Sequence, residues 1–256
     1  MPSVEPAIVA LALAVLVFDG PASRAAQPTC ERASGLGPQP TPPSVSAGSD
    51  WAMLGLYRDA NARLPPARAS APRVVFMGDS ITASWELAAV APPGTELINR
   101  GIGGQTTLQM LLRFPQDVLA LHPAAVHLMA GINDIAENAG PTTLAAIEHN
   151  LADMVEQARA HDVRVVLGSV TPAHDFPWRR GLQPAAKIAA LNAWLREYTR
   201  RCGVEYVDYH RVLADPDGGV RPELADDGVH PNAAGYAVMQ PLARRAVARV
   251  LQRTVK

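Results

Sequence analysis

Val74-Val75-Phe76-Met77-Gly78-Asp79-Ser80-Ile81-Thr82 is the stretch from which the fold can be read. Its first four residues are apolar without alternation, the pattern of a short strand covered on both faces, as in a parallel sheet. Gly78-Asp79-Ser80 then turns the chain, and Ile81-Thr82 opens a helix. The same unit recurs outward from this point. Further apolar runs at Glu96–Ile98, Ala125–Ala130, Arg164–Val170 and Val204–Tyr209 read as strands. Helical patterns separate them at Thr106–Leu121, Thr142–His161 and Pro184–Arg201, and a last one follows at Asn232–Gln252. Upstream, Asp50 is placed to cap a helix over Trp51–Leu64, stopped by Pro65-Pro66. Strand and helix in alternation predict an α/β domain with a five-stranded parallel sheet between helices. Such sheets bind ligands beyond the carboxyl ends of their strands, so the residues that follow each strand decide the chemistry.

Four such segments carry reactive or ligand-facing groups. Ser80, at the start of a helix, has its hydroxyl beside backbone amides that favour negative charge; read alone, it serves equally well as a helix cap. Asn99-Arg100-Gly101-Ile102-Gly103-Gly104-Gln105-Thr106 brings glycines before a helix, which lets backbone N–H groups approach a ligand. No Lys-Ser/Thr follows, so this is not a phosphate-binding P-loop. Asn133, in Gly131-Ile132-Asn133-Asp134, offers an uncharged donor or a turn-forming side chain. In Asp227-Gly228-Val229-His230-Pro231, the proline disfavours a helical His230. Asp227, three residues earlier, can fix the imidazole tautomer and leave the other ring nitrogen to take a serine proton.

These four blocks, in this order, resemble those of the SGNH (GDSL-type) hydrolases, and the resemblance covers roughly residues 51 to 250. Asn-Arg-Gly-Ile-Gly-Gly-Gln-Thr-Thr is similar to the branch that includes platelet-activating-factor acetylhydrolases and their bacterial relatives. One departure is Ala83-Ser84, where the family often has glycine. The resemblance implies a flavodoxin-like three-layer α/β/α sandwich, no metal and no cofactor. It implies Ser80 as nucleophile, His230 as base and Asp227 as the group orienting that base. The oxyanion donors it implies are the N–H groups of Ser80 and Gly104 and the Asn133 side chain. Gly104 is preferred to Gly103 because it directly precedes the polar–Thr pair Gln105-Thr106. The implied activity is a serine esterase acting on small or short-acyl esters. Alternatives with the same serine chemistry are an acyltransferase and a lysophospholipase or thioesterase.

Other features bound the reading. A formal net charge of −1 leaves no basic footprint for nucleic acid and no polybasic run for a membrane, so a small-molecule ester is the expected partner. Aromatic residues make up only 5% of the chain, which argues against a long apolar tunnel and for short acyl groups. After the fourth strand, Phe176 and Trp178 overhang the crevice and are expected to shape the substrate pocket, whereas His174 beside Asp175 reads as a loop residue. No His/Asp/Glu cluster has the spacing of a metal site.

Ala7–Phe18 is an apolar run too short for a comfortable membrane span, followed by small residues around Ser23-Arg24-Ala25. Residues 1–25 are read as a secretory signal peptide, 26–49 as a Pro/Gly/Ser-rich linker and 50–256 as the hydrolase domain. An N-terminal anchor is the alternative, because Glu5 rather than a basic residue precedes the run. Export predicts a secreted or periplasmic protein with no stable membrane insertion once the leader is cleaved. In that setting Cys30 and Cys202 either form one disulfide or remain two thiols. Oligomeric state is not legible.

Overall fold

The computed structural model describes residues 50–252. Its strands are β1 (Arg73–Gly78), β2 (Glu96–Gly101), β3 (Ala125–Met129), β4 (Arg164–Gly168) and β5 (Glu205–Val207). All pair in parallel, in the order β2-β1-β3-β4-β5. This is the flavodoxin-like arrangement, in which the chain leaves β1 toward one side for β2 and toward the other for β3. A crevice therefore opens past the ends of β1 and β3.

The helices are α1 (Arg58–Ala62), α2 (Ser80–Ala83), α3 (Thr107–Asp117), α4 (Ile132–Ile135), α5 (Leu144–Ala160), α6 (Ala185–Cys202), α7 (His210–Leu213) and α8 (Ala233–Gln252). The two-residue period of a strand divides β1 between two cores. Val75 and Met77 pack with Met110 and Phe114 of α3, Leu151 and Met154 of α5 and Leu191 and Leu195 of α6. Val74 and Phe76 face the other way, into Trp85, Leu213 of α7 and Met239, Ala243 and Val247 of α8. Both faces of the sheet are thus covered, which is why its strands read as unbroken apolar runs.

Element ends follow local chemistry. Thr106 and Gln109 form a capping box at the start of α3, Thr143 accepts from Ala146 N (3.1 Å) ahead of α5, and Gly203 closes α6. Beyond β4, the Asn192 carboxamide of α6 pairs with both backbone groups of Val170, at 2.8 and 2.9 Å. That pairing ends the strand at Gly168 rather than Val170, because these groups are no longer free for a ladder.

The predicted helix over Trp51–Leu64 is largely absent; only Arg58–Ala62 is helical. The Asp50 carboxylate accepts from the N–H groups of Leu54 and Gly55 (2.7 and 2.6 Å), and Met53 adopts φ 54°. Residues 50–57 form instead a strap of turns. Its carbonyls are taken by glutamines: Gln109 reaches Trp51 O (2.8 Å), Gln105 reaches Ala52 O (2.9 Å) and Gln116 reaches Leu54 O (2.7 Å). Side chains from the α3 region thus satisfy groups that a helix would have used internally. The predicted leader and linker, and Cys30, lie outside the described residues; Cys202 is buried at the end of α6.

One buried cation ties α3 to the strand ends. Arg113 is 0% exposed. Its guanidinium meets Asp117 (3.1 Å), Gln105 Oε1 (2.5 Å), Arg100 O (2.8 Å) and Gly78 O (3.2 Å). Removing one partner of a buried, hydrogen-bonded ion pair strands the other. Arg113→Met is therefore expected to lower the free energy of urea unfolding by about 3–5 kcal/mol. Adding Asp117→Leu should recover part of that loss, and an unchanged midpoint in the single variant would contradict the assignment.

Candidate functional site

Asp79 ends β1 in an extended conformation and caps α2, its carboxylate accepting from Ile81 N at 2.9 Å. The cap is thus Asp79, which leaves the Ser80 hydroxyl free for another partner. That partner is His230 Nε2, at 2.9 Å and 150 positions away in sequence. The backbone N–H of Ser80, the first of its helix, has no acceptor within the helix.

His230 sits on a short turn between Ala225 and Pro231, which pair across an isolated bridge. Asp227 builds this turn from within. One carboxylate oxygen accepts from the N–H groups of Val229 (2.9 Å) and His230 (2.7 Å); the other meets His230 Nδ1 at 2.6 Å. With Nδ1 engaged as donor, Nε2 is the basic nitrogen turned toward Ser80. Burial acts to raise the Asp227 carboxyl, but the imidazole and the two backbone donors outweigh it and hold it below the usual carboxylate range. Just beyond, Asn232 accepts from Ala234 N and Gly235 N and starts α8, so the turn is anchored on its far side.

Asn133 lies in α4, past the end of β3, with its side chain buried. Its Nδ2 donates to Gln105 O at 3.1 Å, and its Oδ1 accepts from Asn138 Nδ2 at 2.7 Å. A carboxamide nitrogen has two protons, and the bond to Gln105 uses one of them. Gly104 is exposed at φ +74°, a conformation that favours glycine. Beside it, the Asp134 carboxylate holds Thr107 N (2.9 Å) and Thr107 Oγ1 (2.6 Å), joining α4 to the start of α3. Ser80, His230, Asp227, Asn133 and Gly104 therefore gather from four segments at one end of the sheet.

The two aromatic residues part company. Phe176, expected at the pocket surface, is 0% exposed and belongs to the core beneath the α6 side of the sheet. A fully buried ring cannot meet a ligand from solvent, so its part is to support Trp178, whose ring lies 5.3 Å away. Trp178 is 46% exposed and stands 5.8 Å from the His230 ring. His174 pairs with Asp215 at 3.1 Å and links two loops. Among the described residues, no group of three His, Cys, Asp or Glu side chains converges as a metal site. The sequence pattern did not point to Asn138, Gln105 or Arg113 as the residues that hold the Asn133 side chain and the ends of β1 and β2 in place. The available sign was Arg113 with Asp117 at helical spacing on the apolar face of α3, beside Met110 and Phe114.

Residues 76–238 match the model of the GDSL-like lipase/acylhydrolase family. The crystal structure of a Bacteroides fragilis protein ascribed to the acylhydrolases superposes with TM-score 0.76 at 40% identity, covering 80% of this chain and 100% of that one. An uncharacterized lipoprotein of Bacillus subtilis, YqeF, is 29% identical over 48% of this chain, and the match spans 58% of the lipoprotein's length. Esterase TesA of Pseudomonas aeruginosa is 27% identical over 65% of this chain and 83% of its own.

Asp79 gives the site a pH signature. Its carboxyl is 2% exposed, and burial pushes it up from 3.8 to about 6, against the Ile81 N–H and the nearby His230. The folded value lies above the unfolded one, so its favourable contribution is full below the unfolded value and lost as pH rises through about 6. Asp79→Asn keeps an oxygen acceptor for Ile81 and removes the buried charge. The variant should match the wild type near pH 4 in urea unfolding and exceed it by about 2–3 kcal/mol above about pH 7. A pH-independent difference would show that the carboxylate is not desolvated.

Proposed function

Because the chain belongs to the GDSL-like lipase/acylhydrolase family and is by that membership an ester hydrolase, we propose that it is a serine esterase working through an acyl-enzyme on Ser80. The observation that carries this reading is the continuous contact from Ser80 Oγ to His230 Nε2 (2.9 Å) and from His230 Nδ1 to Asp227 (2.6 Å). His230 takes the hydroxyl proton as Oγ attacks the ester carbonyl. Asp227 holds the tautomer and stabilises the imidazolium that forms. The tetrahedral oxyanion lies toward the N–H groups of Ser80 and Gly104 and the free N–H of Asn133. As the C–O bond breaks, His230 returns the proton to the leaving alcohol. Water then attacks the acyl-serine with the same imidazole as base, releasing the acid and restoring Ser80.

Small or short-acyl esters are the proposed substrates, on the same low aromatic content and on the loss of Phe176 from the pocket surface. Trp178 alone of the expected pair faces solvent beside His230. A secreted or periplasmic location is proposed on the leader-like N-terminus. Among the described residues no helix is long and apolar enough to cross a membrane.

A fluorophosphonate probe should label the wild type and leave Ser80→Ala unlabelled; equal labelling would remove Ser80 as nucleophile. With p-nitrophenyl esters, Asn133→Ala should lose about 10²–10³ in kcat with less change in KM. In a series from acetate to palmitate, kcat/KM should be highest for the short chains.

A further inference from the structure

We propose that Trp178 and Asn138 are positioning residues for the oxyanion site: the indole N–H fixes the Asn138 carboxamide, which in turn fixes that of Asn133. The proposal rests on the reading of Asn133 as an oxyanion donor and adds what sets its direction.

The two ends of a primary amide are nearly the same shape, so its orientation is decided by its partners. An indole N–H can only donate. Trp178 Nε1 lies 3.0 Å from Asn138 Oδ1 and so determines which end of that amide faces it. The Asn138 NH2 must then face the other way, where it donates to Asn133 Oδ1 (2.7 Å) and Gly104 O (3.3 Å). With Oδ1 occupied, the Asn133 NH2 points to Gln105 O (3.1 Å) and to the crevice. Turning any member of this chain would set oxygen against oxygen or N–H against N–H. Each link therefore reinforces the next, and the chain ends at a proton donor for the developing charge.

Although Trp178 is exposed, it is held. Its ring rests near buried Phe176, and Arg179 crosses the same gap to Glu137 O (2.8 Å) and to the Glu137 carboxylate (3.4 Å). Two adjacent residues of the loop after β4 thus bind two adjacent residues of the loop after α4. The half-exposed ring of Trp178 also lies 5.8 Å from that of His230, the base of the proposed mechanism. A substrate group resting there touches the first member of the chain that aims Asn133.

The test measures kcat, KM and pH profiles with p-nitrophenyl acetate for Trp178→Phe, Asn138→Ala, Asn138→Asp and Asn133→Ala, alone and in pairs with Asn133→Ala. Trp178→Phe keeps a ring beside His230 and loses only the donor. It should lower kcat about threefold and Asn138→Ala about tenfold, with KM nearly constant, since misdirection costs less than removal of a donor. Asn138→Asp can accept from Trp178 but offers Asn133 no proton, so it should fall at least as far as Asn138→Ala. On the Asn133→Ala background neither Trp178→Phe nor Asn138→Ala should cost anything further. The pH profile of kcat/KM should not move in Trp178→Phe, as it would if Trp178 acted through His230. Full kcat in Trp178→Phe and Asn138→Ala, or losses that multiply on Asn133→Ala, would overturn the relay while leaving Asn133 as donor. Full kcat in Asn133→Ala would overturn the oxyanion reading itself, and the relay with it.

Discussion

A guanidinium shut away from water needs acceptors at each of its nitrogens, and in this chain that requirement joins the scaffold to the site. Arg113 reaches the carbonyls of Gly78 and Arg100, at the ends of neighbouring strands, and the side chain of Gln105. These residues flank the two turns that present Ser80 and Gly104. Neither turn can drift without exposing a buried cation to unpaired surroundings, which is far more costly than losing an ordinary surface contact. Gln105 extends the constraint in two directions. Its side chain binds the strap at Ala52, and its own carbonyl accepts from Asn133. The Gly104 loop is thereby held from below by Arg113, from outside by the strap and from the side by Asn133.

The imidazole side of the site is built on a different plan. Asp227 satisfies two backbone donors and the ring of a residue only three positions away, so this half assembles within one turn. Closing so short a loop costs little entropy. What costs more is bringing that turn to Ser80 across 150 positions, and the sheet and α8 supply it. The tyrosine of α8, Tyr236, donates to Ile81 O at 2.7 Å, clamping the final helix onto α2, which carries Ser80. The hydroxyl and imidazole therefore meet because two packed elements meet, not because either loop reaches for the other.

This division explains what could be read from the sequence. Strands buried on both faces leave unbroken apolar runs, and Val74–Met77 announces β1 without any knowledge of its neighbours. Gly-Asp-Ser, Asn133 and the Asp227–His230 turn are short-range patterns, visible because their chemistry is local. The strap at 50–57 was misread as helix because its outcome depends on Gln105, Gln109 and Gln116, which lie about fifty residues downstream and take its carbonyls. Phe176 was misplaced because burial is a property of the packed loop and not of the residue. Asn138 left no trace in the pattern at all: an asparagine in a loop after a four-residue helix is unremarkable until Trp178 and Asn133 stand on either side of it.

Two carboxylates near the same imidazole show how environment separates their roles. Asp227 is half in solvent and accepts three donors, which hold its carboxyl below the usual carboxylate range. Asp79 is buried, and the Ile81 N–H and the nearby His230 offset only part of the cost of its charge. Burial pushes its carboxyl up to about 6, so the charged form is the one that costs the fold. A neutral cap would satisfy Ile81 equally well and would cost the fold less.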